Sequence, residues 1–318
     1  MSEPTGIPAS SPTPGEVTIA APLEVAPSKK LGIGGKLAVG WLGAVAIIGL
    51  TVPWLPLRDP TTPNVQAQLA GPLEVSGFFF GGSSSGYDMG SLLAWGIRNS
   101  LMVAIGAVVL GTLVGGFFGL VAGYFGGKVD TLINGAFSVL LAIPALVLAL
   151  ALVAVLASTY VDTAGNNVVP SFARRVVVLI VALAVVSVPL LGRITRANTL
   201  VWVQRDFVTA AKAQGAKHRR IMFREVLPNV LPAMFSIALL AVAVVIVAEG
   251  GLSILSIGIP VEKPSLGSII AGGRTPLSLD GKPHIVFEPV VVIFLTVMSL
   301  NYLGDVLRAR FDVRDGAL

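Results

Sequence analysis

The sequence contains no cysteine, which excludes a disulfide framework, a thiolate metal site and a cysteine nucleophile. Its two histidines, His218 and His284, are far apart and lack the spacing of zinc ligands, so no metal site is expected. Charge is also scarce. Charged residues make up 12% of the chain, about half the ~25% of ordinary soluble domains. No Gly-x-x-x-x-Gly-Lys-Ser/Thr loop occurs, so the chain has no nucleotide site of that kind. The uncharged runs also lack any cluster of acid, base and nucleophile, which argues against a membrane-embedded enzyme.

Apolar sequence is abundant: 54% of residues are hydrophobic, and several uncharged runs reach the ~20 residues needed to cross a bilayer. Six transmembrane helices are expected, giving an all-α, polytopic protein. The first spans Leu37 to Trp54, behind a Pro-rich, disordered tail over residues 1–30 and Lys29, Lys30 and Lys36. This polar leader does not read as a cleaved signal, and the helix is expected to be retained. Residues 31–98 then comprise that helix and an outer loop with short helical or interfacial pieces.

A core domain over 99–310 holds the other five helices. Helix two runs from Asn99 to Gly127 and carries Gly106, Gly111, Gly115, Gly116 and Gly119, as expected where helices approach closely in lipid. Helix three, Thr131 to Tyr160, should kink at Pro144, and helix four, Val176 to Leu191, at Pro189. Val230 to Ala248 forms helix five, and Pro289 to Gly304, starting as early as His284, forms helix six. A polar loop with Pro260, Pro264 and Pro283 separates these two, and 311–318 is a tail. The four tryptophans, at 41, 54, 95 and 202, are expected as interfacial anchors.

Basic residues sit mostly at the ends of apolar runs and are not gathered into an aromatic-interleaved domain, so nucleic acid is not an expected partner. With six helices and an inner N terminus, about two-thirds of the Lys and Arg fall inside, which favours both termini in the cytoplasm. Arg174 and Arg175 go against that bias.

The densest basic stretch is 193–228. It opens with an alanine-rich segment that can form a short helix with Phe207, Ala210, Ala211 and Gln214 on one face, and Gly215 provides the stop. Such a face lets another protein approach closely; the plainer alternative is a basic loop that only anchors topology.

Thr209-Ala210-Ala211, followed by Gly215 and then Leu227-Pro228-Asn229, resembles the EAA motif of permeases in binding-protein-dependent ABC importers. The usual Glu is replaced by Thr209. Further stretches are similar to the second permease of dipeptide and oligopeptide importers. They are Leu120 to Asp130, Ile143-Pro144-Ala145-Leu146, Ala248 to Ile259, Pro264-Ser265-Leu266-Gly267 and Asn301 to Arg308. Before helix two, Ser83-Ser84-Ser85-Gly86-Tyr87-Asp88 keeps only the Gly and Asp of the family's pattern.

The resemblance implies a type I ABC importer permease fold in a bacterial cell membrane. It also implies a homologous second permease, one or two cytoplasmic ATPase subunits that bind ATP and Mg, and an extracellular substrate-binding protein. The chain itself would then hold no cofactor and catalyse no reaction. Phe207, Thr209, Ala210, Ala211, Gly215, Leu227, Pro228 and Asn229 become the ATPase-coupling residues. Cargo would be di- or oligopeptides, with nickel, haem and glycosides as alternatives within the same importer class.

Two acids near membrane boundaries, Glu249 and Glu288, are functional candidates for the pathway or for binding-protein contact. The plainer reading of Glu249 is a surface ion pair with Arg274 or Lys263. Pro228 and Pro232 fit the first turns of helix five, where a missing N–H costs little. A secondary carrier would need ionisable groups at mid-membrane, and helices two, three and five carry none through their centres.

Overall fold

A computed structural model describes residues 32–60, 62–157, 160–161, 167–168, 171–255, 263–279 and 281–312. The tail expected over 1–30 and the last residues from 313 lie outside them. The architecture is helical: α1 (Ile33–Thr51), α2 (Met89–Phe125), α3 (Gly127–Ala142), α4 (Ala145–Leu156), α5 (Phe172–Val203), α6 (Asp206–Ala213), α7 (His218–Arg220), α8 (Leu227–Ile254), α9 (Leu266–Leu279) and α10 (His284–Asp312). A π-helical turn, Ile221–Val226, joins α7 to α8 in one continuous rod. Tyr160–Val161 pairs with Asn167–Val168 between α4 and α5.

The centre of the bundle is the contact between α2 and α5. Gly111, Gly115, Gly119 and Gly123 recur every fourth residue, so they share one face of α2. A Cβ added at Gly115 would collide with the Val188 carbonyl, and one at Gly119 with that of Gly192. At Gly123 it would stand 2.7 Å from the Thr199 Cβ. Lipid tails are as apolar as the helices, so association depends on such close backbone packing and not on burial from water.

Residue numbers on the two helices rise together along this seam, so α2 and α5 are parallel. The chain between them must therefore return across the bundle once. The α3–α4 pair makes that return, bent by 86° at its break. Pro144 accounts for the break: Ile143 is extended and Pro144 caps α4, so the helical hydrogen bonding restarts there. A kink expected inside one helix is thus an interruption between two. By contrast, α5 continues through the buried Pro189.

Counting the bent pair once gives six crossings. Glu249 meets Ser100 and Met234 meets Gly116, so α8 is antiparallel to α2. Trp41 meets Thr296 and Gly34 meets Tyr302, so α10 is antiparallel to α1. Both ends of the described chain therefore lie at the end of the bundle that carries α6.

Several expected boundaries move. α2 starts ten residues before Asn99, because Arg98 does not terminate it: its guanidinium donates to the Gly49 carbonyl of α1 at 3.0 Å. The start is set by Asp88, whose carboxylate accepts from the Ser91 amide at 2.8 Å and hydroxyl at 2.7 Å. α5 likewise continues past Arg193, which donates to Ser138 at 2.8 Å, while Arg196 pairs with Asp130. The first third of the expected loop 193–228 is therefore helix packed on α3.

Residues 52–60 and 62–88 form a compact cap at the opposite end from α6. Backbone bonds Asn64 to Gly86, Leu69 to Ser83 and Gly82 to Ala70 fold it around buried Ala67 and Phe78. The polar loop expected between helices five and six contains a helix, α9, that packs on α8 and α10.

Candidate functional site

At one end of the bundle, α6 stands almost free. Its inward side is Val208, fully buried in a cluster with Leu120, Tyr124, Ile221 and Val226, while Ala211 packs partly against the same cluster. Phe207, Thr209, Ala210, Lys212 and Gln214 remain exposed. Of the expected face Phe207, Ala210, Ala211 and Gln214, Ala211 packs on the cluster and the Phe207 ring lies 6.3 Å from that of Trp202, while Ala210 and Gln214 are exposed; Val208 is the anchor that residue spacing does not reveal.

Gly215 closes α6 with φ +75, in the left-handed region. The Ala216 amide donates to the Ala211 carbonyl and the Gly215 amide to the Lys212 carbonyl, both at 3.0 Å. This pair of bonds is a Schellman stop, which a glycine adopts without a Cβ penalty. It fixes the length of α6 and points the chain back towards the bundle.

Leu227, Pro228 and Asn229 lie inside the α7–α8 rod, not at its start. Pro228 is the second residue of α8, in its first turn as expected, and Pro232 lies one turn further in; because the π-turn runs into α8 without a break, both stand within the continuous rod that begins at His218. Two prolines four residues apart withhold two N–H groups and crowd the preceding carbonyls. Just ahead of them the helix widens to i→i−5 bonding, and the Leu227 amide donates to the Met222 carbonyl. Asn229 turns its amide onto the Glu225 carbonyl at 2.6 Å. The π-turn is a locally loosened stretch of the kind often found at functional positions.

A second polar assembly occupies the other end. Glu249, 1% exposed, accepts from the Ser100 hydroxyl at 3.0 Å and from the Ser253 hydroxyl at 2.8 Å. Ser100 also accepts from the Leu266 amide at 3.1 Å, and Asn99 donates to the Pro264 carbonyl at 2.7 Å. Ser265 and Ser268 bond each other across the first turn of α9. Gly250 and Gly267 meet backbone to backbone, so that a Cβ at Gly267 would lie 2.5 Å from the Gly250 Cα. Together these residues latch the start of α9 to α2 and α8.

Two expectations for Glu249 fall with this geometry. It makes no surface ion pair with Arg274 or Lys263; the Lys263 ammonium sits 4.6 Å over the Phe172 ring instead. Nor is it open to a pathway or a docking protein in this chain, because its carboxylate is enclosed and hydrogen-bonded. Glu288, in the first turns of α10, is half-buried and close enough to Asp88 for the two carboxylates to repel. Its Oε2 is buried without a hydrogen-bond partner.

Among the tryptophans, Trp54 is 81% exposed, as an interfacial anchor requires. Trp41 is an inter-helix tie, donating to the Thr296 hydroxyl at 3.1 Å. A cleft of about 410 Å³ opens between α2 and α8, lined by residues such as Leu113, Phe117, Phe223 and Phe235. Thr112 alone brings a polar side-chain oxygen or nitrogen to it, so the cleft suits lipid tails or helix packing better than a zwitterionic solute. Among the described residues no group of His, Asp and Glu could hold a metal ion.

Residues 115–314 match the family described as binding-protein-dependent transport system inner membrane component. The chain is 32% identical over 266 residues to the dipeptide transport system permease protein DppC of Alkalihalophilus pseudofirmus, covering 84% of this chain and 81% of that one. It is 32% identical to the glutathione transport system permease protein GsiD of Pectobacterium atrosepticum, covering 74% and 73%. It is 30% identical to the oligopeptide transport system permease protein OppC of Lactococcus lactis, covering 79% and 80%. Among solved structures, a chain of the MetNI methionine ABC transporter in an inward-facing conformation aligns with a TM-score of 0.52 at 18% identity. The alignment covers 69% of this chain and 95% of that one, which shows the shared fold.

Proposed function

The chain belongs to the inner membrane components of binding-protein-dependent transport systems, a multi-pass family of transport permeases, and on that premise we propose that it forms half of the translocation pathway of an ATP-driven importer for short peptides. The observation that carries the proposal is α6: a short helix outside the bundle, pinned from behind by Val208 and stopped by Gly215, with small and polar residues facing outward. A helix held this way is a rigid peg for the cleft of a soluble partner. Phe207, Thr209, Ala210 and Gln214 form its contact surface, while Ala211 and Gly215 hold its shape. Leu227, Pro228 and Asn229 belong to the rod that carries its movement into the bundle.

The partner in that role is a cytoplasmic ATPase that binds ATP and Mg, which places α6 and both chain ends in the cytoplasm of a bacterial cell. A homologous permease completes the pathway, and an extracellular protein selects the cargo. Peptide cargo is supported by relatives named for dipeptide, glutathione and oligopeptide transport. ATP-driven closure of two ATPase subunits would draw the pegs together and rock the bundle between inward and outward openings. Mid-membrane charge of the kind a secondary carrier needs is missing from the centres of α2, α4, α5 and α8.

The test is to purify the tagged chain from its native membranes, as wild type and as Ala210→Trp. Wild type is expected to bring down a related permease and an ATPase, with the ATPase lost from the variant. Recovery of the same partners with both chains would remove α6 as the contact; recovery of no ATPase with wild type would remove the importer reading.

A further inference from the structure

Resting on the coupling role proposed for α6, we infer that the Tyr124–His218 pair is the link through which movement of α6 reaches α2. His218 follows the Gly215 turn by three residues and opens the rod that leads into α8. Its Nδ1 lies 3.0 Å from the Tyr124 hydroxyl, a hydrogen bond available to either ring tautomer. The ring also meets Tyr124 edge-on at a centroid distance of 5.8 Å and Phe125 at a tilt at 6.0 Å. Tyr124 and Phe125 are the last two residues of α2, and Gly126 and Gly127, both at positive φ, turn the chain away immediately after them.

The load of α6 therefore divides at His218. One branch runs covalently through the π-turn into α8. The other passes across space into α2. Val208 and Ile221 also share an apolar cluster with Leu120 and Tyr124, but apolar side chains can slide past one another, whereas a hydrogen bond and an edge-on ring contact fix direction and register. The second branch has a destination. About 36 Å along α2, at 1.5 Å per residue, Ser100 and Asn99 hold the start of α9 through the Leu266 amide and the Pro264 carbonyl. α2 is thus a rod held at one end by the coupling segment and at the other by the α9 latch. Ser100 also donates to Glu249 of α8, so the two branches meet again there. Tyr124 and His218 are positioning residues: they act on the pathway through α2 and touch no cargo.

The experiment reconstitutes the complete transporter in liposomes with ATP inside and its binding protein outside. Radiolabelled alanyl-alanine taken up per ATP hydrolysed is measured for wild type, Tyr124→Phe, His218→Ala, His218→Asn and the Tyr124→Phe/His218→Ala double variant. This ratio is insensitive to loss of folded complex, since uptake and hydrolysis then fall together. Each of the first two single variants is expected to lower it about threefold to tenfold, the range of coupling effects at positions remote from ligand. His218→Asn, whose amide reaches the position of Nδ1, is expected to recover to within about twofold of wild type, and the double variant to fall no further than the worse single. An unchanged ratio in both singles, or multiplicative effects in the double, would overturn the link. If the wild-type complex hydrolyses ATP but takes up no alanyl-alanine, the peptide-importer reading fails, and the link is then judged on hydrolysis stimulated by the binding protein: a loss in both singles supports it and equal stimulation in wild type and both singles overturns it.

Discussion

At Gly119 a single added carbon would enter the van der Waals shell of the Gly192 carbonyl, and at Gly135 it would meet nothing within 4 Å. Both glycines lie inside helices, so they carry the same backbone cost and differ only in what surrounds them. Gly119→Ala is expected to destabilise the bundle by about 2–3 kcal/mol, since α2 and α5 must separate or shift to admit the methyl. Gly135→Ala should stabilise α3 by up to ~1 kcal/mol, because alanine fixes helical backbone at lower entropic cost. Thermal unfolding of the two purified variants in one detergent checks the sign; equal shifts would mean that the seam is not close-packed. The glycine row was legible in the sequence, but its partner was not, because residue spacing gives the face of a helix and not what lies opposite. Glu249 has the same limit. Its place near the end of a span is readable, whereas the Ser100 hydroxyl that satisfies it is 149 positions away and belongs to no periodic pattern.

Single residues also decide where elements begin and end, and here charge was a poor guide. Arg98 and Arg193 looked like boundaries because a cation in a membrane segment is costly. Each instead lies on a continuing helix and reaches a polar group on a neighbour, Gly49 O or Ser138 Oγ. α9 was hidden for a related reason: Pro264 and Pro276 punctuate it, and its helical stretch between them is short and interrupted by Gly272 and Gly273. What holds α9 is its latch more than its propensity, which yields a prediction. Asn99→Ala removes the bond to the Pro264 carbonyl and leaves that buried oxygen short of a donor, at a cost of about 1–3 kcal/mol. Amide exchange across 266–279 should then accelerate about tenfold or more while that of the α2–α5 seam stays unchanged. Equal acceleration in both would mean that the latch supports the whole bundle and not α9 alone. The existence of α6 and its stop were legible, because Gly215 and its Schellman bonds lie within a few residues of one another, whereas its anchor Val208 was not, since the partners Leu120 and Tyr124 lie on α2, far away in sequence.

For the whole molecule, the number of crossings decides the sidedness of every loop, and it turns on the bent pair α3–α4. If that pair returned to its own side, five spans would remain and the two ends of the chain would face opposite compartments. The parallel course of α2 and α5 forbids this: two helices running the same way, with matching glycine contacts from Gly106–Ile180 to Gly123–Thr199, need one crossing between them. Phe79 in the cap and Ala213 at the end of α6 must then lie on opposite sides of the membrane, and Ala213 on the same side as the start of α1 and the end of α10. The sequence offers a clean assay, since it has no cysteine of its own to label. Phe79→Cys and Ala213→Cys both place the thiol at an exposed position. In intact cells stripped of any outer membrane, an impermeant maleimide should label the first and spare the second until the membrane is opened. Labelling of both from outside would break the six-crossing topology and, with it, the placement of α6 beside a cytoplasmic ATPase. Labelling of Ala213→Cys alone would keep the six crossings and invert them, so that the two-thirds of Lys and Arg grouped with α6 would face outward, against the charge bias that orients membrane proteins.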